Sequence, residues 1–286
     1  MTFIYLQQWL SIGEKIMTTI NTNVGALFAK ANGTIATMKM ERAMLRLSSG
    51  LRINGAADDA AGLAVATTMK SQLLGTNMSI RNSADAVGLI QTAESGMNTV
   101  SNIVLRMREL AVQMNNGIYT ASDRANASSE FNALRDEITK IATYTSFNST
   151  SLLSGGIDTT MRAGDTNTQT IAVTVDSVLP TALSISSITL ATLTNAASSV
   201  TALDGALSAL AGFQAELGAL QNRFEHTITN LTNAAMYTEQ ALGRIIDADF
   251  AVETSELSKQ QILGQAATAM LAQANQSKQS VLALLQ

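Results

Sequence analysis

From Val24 onward the apolar residues recur on alternating steps of four and three: Val24, Phe28, Ala31, Ile35, Met38 and Leu45, with Arg42 the one polar intruder. A heptad stripe of this kind predicts an amphipathic helix that seeks a partner helix. Ser48-Ser49-Gly50 ends it, and Asn54-Gly55 marks a turn. Asp58 and Asp59 then stand where carboxylates cap or complement the first turn of a new helix. That second helix is predicted over roughly 57–112, with Asn115-Asn116-Gly117 closing it. A third opens at Ser122-Asp123 and runs to about Tyr144, carrying Phe131, Leu134, Ile138 and Ile141 on one face.

The middle of the chain has a different rhythm. Residues 148–201 are rich in Ser, Thr, Gly and Asn, and alternate with period two over Thr170–Val175 and again over Leu183–Ser186. Short strands forming a hairpin or small solvent-facing flap fit this pattern. Helical periodicity returns near Ala202 and is interrupted at Ile245-Ile246-Asp247-Ala248-Asp249-Phe250. Beyond the interruption Leu263, Ala267, Met270, Ala274, Ser277, Val281 and Leu284 again alternate by four and three. A helix over about 248–285 would be roughly 55–60 Å long at 1.5 Å per residue. Two long amphipathic helices of matching period thus lie at the two ends. They are expected to pair with each other and to turn their outer faces to neighbouring subunits. The candidate self-assembly seam is Val24, Phe28, Ala31, Ile35, Met38 and Leu45 with Leu263, Ala267, Met270, Ala274, Val281 and Leu284.

Composition narrows the class. One proline, Pro180, leaves the long helices uninterrupted. With 4% aromatic residues and no cysteine, the helices must pack through small and medium side chains without disulfide support. A net charge of −4 argues against a nucleic-acid or anionic-membrane binder. No run of about 18 apolar residues predicts a membrane-spanning helix. The first sixteen residues lack a basic leading region, and Gln7, Gln8, Glu14 and Lys15 interrupt their apolar patches, so they make a poor Sec signal. Met17 follows at once, which makes residues 1–16 an atypical extension or the product of a mis-called start.

Several segments together resemble bacterial flagellins. Met17-Thr18-Thr19-Ile20-Asn21-Thr22-Asn23 is similar to that family's start, and Leu47-Ser48-Ser49-Gly50-Leu51-Arg52-Ile53-Asn54 followed by Asp58-Asp59-Ala60-Ala61-Gly62-Leu63 to its most specific signature. Arg106–Gln113, Phe147-Asn148, Leu152–Gly155, Arg244–Phe250, Gln265-Ala266 and Ala274-Asn275-Gln276 continue the match in order. The resemblance covers about residues 17–160 and 200–286. It implies a mainly α fold in which long antiparallel terminal helices form a coiled coil beside a helical bundle carrying a small β-hairpin region, with the outer variable domains reduced or absent. The implied domains are 17–60 with 245–286, the terminal coiled coil at the filament core, and 61–244, the bundle with its β-rich segment at about 148–201.

The implied function is that of a structural subunit polymerising into the flagellar filament of motile bacteria. It would be exported through the type III apparatus without a Sec signal peptide. Its partners would be itself, an export chaperone, the filament cap and hook-junction proteins. The resemblance also offers Arg106, Leu110 and Glu130 as a surface for Toll-like receptor 5, because the matching segment of some flagellins engages that receptor; read by themselves, Arg106, Arg108 and Glu109 make a solvated helix face. Other readings remain: a hook–filament junction protein sharing the terminal helices, a chemoreceptor-like signalling hairpin, or a flagellin-like surface protein binding polysaccharide. The β-rich middle and missing membrane segment count against the chemoreceptor. No catalytic, cofactor or metal site is expected. Asp247, Asp249 and Glu253 read as acids at a helix junction, and His226 has no partner suited to zinc.

Overall fold

The computed structural model describes residues 22–283, the last three by backbone alone. Five helices lie among the described residues: α1 (Val24–Ser49), α2 (Ala60–Met114), α3 (Ala121–Tyr144), α4 (Leu193–Ile246) and α5 (Phe250–Ala283). The predicted residues 1–16 and Leu284 fall outside the described residues, and so does the side chain of Val281. The chain divides into two compact units, one made of the residues up to Ala66 and from Gly243 onward, the other of Thr67–Leu242.

In the first unit α1 and α5 run antiparallel. Asn23, at the start of α1, donates through Nδ2 to the carbonyl of Ala274 at 3.0 Å, while Arg46 near its end pairs with Glu253 at 3.1 Å. Between these points the two backbones approach closely. A Cβ built on Gly25 would lie 3.6 Å from that of Ala274, and one on Gly33 would lie 3.4 Å from that of Ala267. Ala29, Ala36 and Ala43, each seven residues from the next, are the buried side chains of α1. Opposite them Glu253 and Gln260 are buried and Ala267 and Ala274 half-buried, again at intervals of seven. The intrachain contact is therefore a heptad seam, built of alanine and glycine.

Small residues bring two helices together because nothing projects from the contact line. Ala36, 4% exposed, lies on the contact line, where a longer side chain holds the helices apart. Ala36→Leu is expected to cost about 1–3 kcal/mol through overpacking. The variant should then elongate filament seeds more slowly than the parent chain, with the thermal transition of residues 67–242 unmoved.

The breaks in the two helices are stitched together. Gly50 takes a left-handed φ of 72° and its N–H caps α1 on the carbonyl of Arg46. Leu51 then bridges Asp247, the Arg52 N–H donates to the Ile246 carbonyl and the Ala248 N–H to that of Gly50. Asp59 accepts from the Gly62 N–H at 2.8 Å and so caps α2. A Cβ on Gly62 would fall within 3 Å of the Asp59 carboxyl and of the Ile53 side chain, so a larger residue here would displace the capping carboxylate. Asp249 caps α5 by accepting from the N–H of Ala251 at 2.8 Å.

The second unit holds a conventional core. Leu203, Leu210, Leu217 and Phe224 of α4, seven apart, are buried together with Ile90, Met97, Val104 and Met107 of α2 and Phe131 and Ile138 of α3. α4 is long and apolar enough, by length and composition, to cross a membrane; these four positions instead fill the core. Arg124, almost wholly buried, donates through Nη2 to the carbonyls of Asn116 and Tyr119 and so fixes the turn between α2 and α3.

Two antiparallel hairpins follow α3. The first pairs β1 (Ser146–Phe147) with β2 (Thr150–Ser151), and the second pairs β3 (Ile157–Arg162) with β4 (Thr170–Val175), Ile157 facing Val175. β4 buries Ile171, Val173 and Val175 while its threonines face out. The period-two stretch Leu183–Ser186 is not a strand. Leu183 and Ile185 are both buried, but the chain turns there, with Ser184 at φ 58° and the Ile185 N–H bonded to the Pro180 carbonyl. Helix α4 also starts at Leu193, ahead of the expected end of the β-rich segment at 201. Thr192 opens it, its hydroxyl accepting from the Asn195 N–H at 3.1 Å.

Candidate assembly surface

The predicted seam residues divide sharply in the structure. On α1 Val24, Ala31, Ile35, Met38 and Leu45 are exposed, and Phe28 is 66% exposed. The stripe that packs inside the subunit is instead Ala29, Ala36 and Ala43, with half-buried Ala26, Gly33, Met40 and Leu47 between them. On a 3.5-residue period that face lies roughly 150° around the helix from the predicted one. On α5 the predicted residues divide as well. Ala267 and Ala274 do sit in the seam, whereas Leu263 is exposed and Met270 is 64% exposed. The discrepancy has a simple cause. Ranking by hydrophobicity favours Phe, Ile and Leu, but close helix contact selects side chains that do not hold the backbones apart.

What remains outside is an apolar groove. Gly25, Ala29, Ala36 and Ala267 line it with small side chains, and Phe28, Ile35, Leu263 and Met270 add exposed large ones, around a volume of about 570 Å³. Contiguous apolar surface of this kind is rare on a protein that acts alone. The groove has no titratable cluster within it beyond Lys39 and Lys259 at one end, and no group of three or more His, Cys, Asp or Glu suited to a metal occurs among the described residues.

Polar side chains set the ends of the hairpin. Arg46 reaches both Glu253, at 3.1 Å, and Asp58, at 3.8 Å, tying α1 to α5 and to the loop before α2. A buried ion pair of this sort is weak evidence for added stability, but losing one partner would strand a charge. Glu256 is held below the usual carboxylate range by hydrogen bonds from Gln260 and then Lys259. Gln260 itself is buried in the seam and donates to Glu256 at 2.6 Å.

The residues proposed for receptor contact lie in the second unit. Arg106 bonds Glu130 and Glu109, each at 3.0 Å, and these bonds, that to Glu109 foremost, raise its pKa. Arg108 pairs with Asp204 of α4, an ion pair across 96 residues of sequence that holds the aspartate below its ordinary range. Leu110 is a correction. At 4% exposure it belongs to the core, because the heptad face of α2 turns it inward, and only Arg106 and Glu130 remain as surface.

Residues 20–158 match the bacterial flagellin N-terminal helical region, and residues 200–285 match the bacterial flagellin C-terminal helical region. A flagellin of Halalkalibacterium halodurans is 44% identical over 271 residues, which span 93% of this chain and 99% of that protein. The chain belongs to the bacterial flagellin family. The flagellar filament 33 kDa core protein of Treponema phagedenis is 38% identical, again over 93% of this chain and 99% of the relative. The crystal structure of Bacillus cereus flagellin is 30% identical at a TM-score of 0.48, covering 53% of this chain and 88% of that one. This flagellin is a structural subunit of the extracellular flagellar filament, mainly α in fold and not an enzyme, and it assembles with copies of itself. Its outward apolar groove is then the feature of the first unit that most needs a partner.

Proposed function

We propose that the outward stripe of α1 and α5 is the surface through which each flagellin subunit grips its neighbours, and that the unit carrying it forms the filament core. The observation that carries this reading is the pairing of small groove residues with large exposed ones: among the described residues Phe28, Ile35, Leu263 and Met270 stay exposed. A contact between unlike faces of identical subunits does not close on itself and so propagates an open helical filament. Burying one Phe or Ile side chain is worth about 1.5–3 kcal/mol, and the stripe offers several.

A two-helix hairpin joined by alanine and glycine is marginal alone, because isolated helices owe most of their stability to packing. Ordering of α1 and α5 is therefore coupled to assembly, the neighbours stabilising them by mass action. The same apolar stripe has to be shielded before assembly, which fits an export chaperone. It also fits docking of the first subunits on hook-junction proteins and insertion of new ones beneath a filament cap. Passage through a type III channel without a Sec-type signal agrees with a chain that has no cysteine to cross-link on the way. A Toll-like receptor 5 contact on the second unit would rest on Arg106 and Glu130.

Hydrogen exchange tests the coupling. Amides of α1 and α5 should exchange freely in dilute monomer and gain at least about 100-fold protection in filaments, while the core of residues 67–242 is protected in both. Equal protection of α1 and α5 in monomer and filament would reject it.

A further inference from the structure

The chain has no cysteine, so thioethers are its only oxidisable sulfur. Among the described residues the methionines range from buried to exposed: Met38, Met44, Met78 and Met236 are about half exposed without lining the groove. Met97, Met107 and Met114 are buried in the core of the second unit, whereas Met270 is 64% exposed and lines the apolar groove beside Phe28, Ile35 and Leu263. No other methionine lines that groove among the described residues. Oxidation follows access, and a sulfoxide replaces a flexible apolar side chain with a polar one.

We infer that Met270 is an oxidant-sensitive modification site that gates polymerisation, an inference that rests on the assembly reading above. In the free subunit a sulfur lone pair attacks one oxygen of hydrogen peroxide. The O–O bond breaks, the sulfur is oxidised to the sulfoxide, and the peroxide is reduced to water with its protons retained. The S=O dipole then stands in the groove beside Phe28, Ile35 and Leu263, which cannot donate a hydrogen bond; of the donors that also line it, Lys259 and Gln260 are already bonded to Glu256, which leaves Asn32 and Lys39. A neighbouring subunit would have to bury the new polar group against the apolar part of the stripe, which polar burial penalises. In the filament the same contact covers Met270, so assembled subunits resist the oxidant that disables free ones.

The test uses full-length protein, mild hydrogen peroxide, peptide mass spectrometry and seeded elongation followed by light scattering. In the monomer, Met270 should oxidise well ahead of Met97, Met107 and Met114; in filaments it should be protected. Oxidised wild-type protein should elongate seeds roughly tenfold more slowly, and treatment with both types of methionine sulfoxide reductase plus a dithiol should restore the rate. Met270→Leu should elongate normally and stay insensitive to peroxide. Met270→Gln, a polar side chain of similar length, should be slow without any oxidant. Undiminished elongation by Met270-oxidised protein overturns the inference, as does equal peroxide sensitivity in Met270→Leu, and either leaves the assembly reading intact. Failure of untreated wild-type protein to elongate seeds overturns the assembly reading and this inference with it.

Discussion

Phe28→Asp combined with Ile35→Asp is expected to abolish seeded filament growth while leaving the monomer's far-ultraviolet circular dichroism unchanged. Phe28 is 66% and Ile35 48% exposed in the subunit, so their removal takes little from its own packing. The cost to α1 is the difference in helix propensity, roughly half a kcal/mol per residue. The cost to assembly is much larger. Two side chains no longer contribute about 3–6 kcal/mol of burial between them, and two carboxylates must be desolvated or must hold the contact open. Loss of 3 kcal/mol already weakens subunit affinity by more than about 100-fold. Sedimentation of mixtures with sheared seeds, followed by electron microscopy, reads the result. Normal growth of the double variant would move the subunit contact away from this stripe.

Phe224→Ala has the largest expected effect on folding. Phe224 is fully buried in α4, in the same cluster as Phe131, Met107 and Leu217. Truncating a buried phenylalanine costs about 3–5 kcal/mol, part for lost transfer and part for the cavity left behind. Domains of this size are stable by roughly 5–15 kcal/mol, so a large share of the margin disappears. A fall of about 10 °C in the midpoint of the second unit is expected by calorimetry, at 2–4 °C per kcal/mol. The two variants separate the two units. Phe224→Ala lowers that midpoint before any filament is made, whereas the aspartate pair leaves the midpoint alone and stops growth.

Much of the architecture is legible in the amino-acid pattern. Apart from the start of α4, which comes at Leu193 and not near Ala202, the heptad period predicts helices whose ends lie within a few residues of those observed, because capping and breaking residues such as Asp59, Gly50 and Asp249 act locally on the backbone next to them. The alternation of Thr170–Val175 likewise predicts β4, since one face of that strand must be buried. Leu183–Ser186 carries the same alternation and forms no strand. Its two apolar residues reach the core from a turn, and no segment lies alongside to complete a ladder.

What the sequence by itself determined is the period of each helix, the positions of the breaks and the family to which the chain belongs. Which face of each terminal helix turns inward was decided only by the tertiary structure. Along α1 the stripe of Phe28 and Ile35 outranks that of Ala29, Ala36 and Ala43 on any scale of hydrophobicity, yet the alanines are buried and the larger residues exposed. Two helices approach most closely where side chains are smallest, and the larger side chains are left outside. The same dependence on partners distant in sequence hides Arg46–Glu253 and Arg108–Asp204, 207 and 96 residues apart. Such pairs exist only once packing has brought their helices side by side.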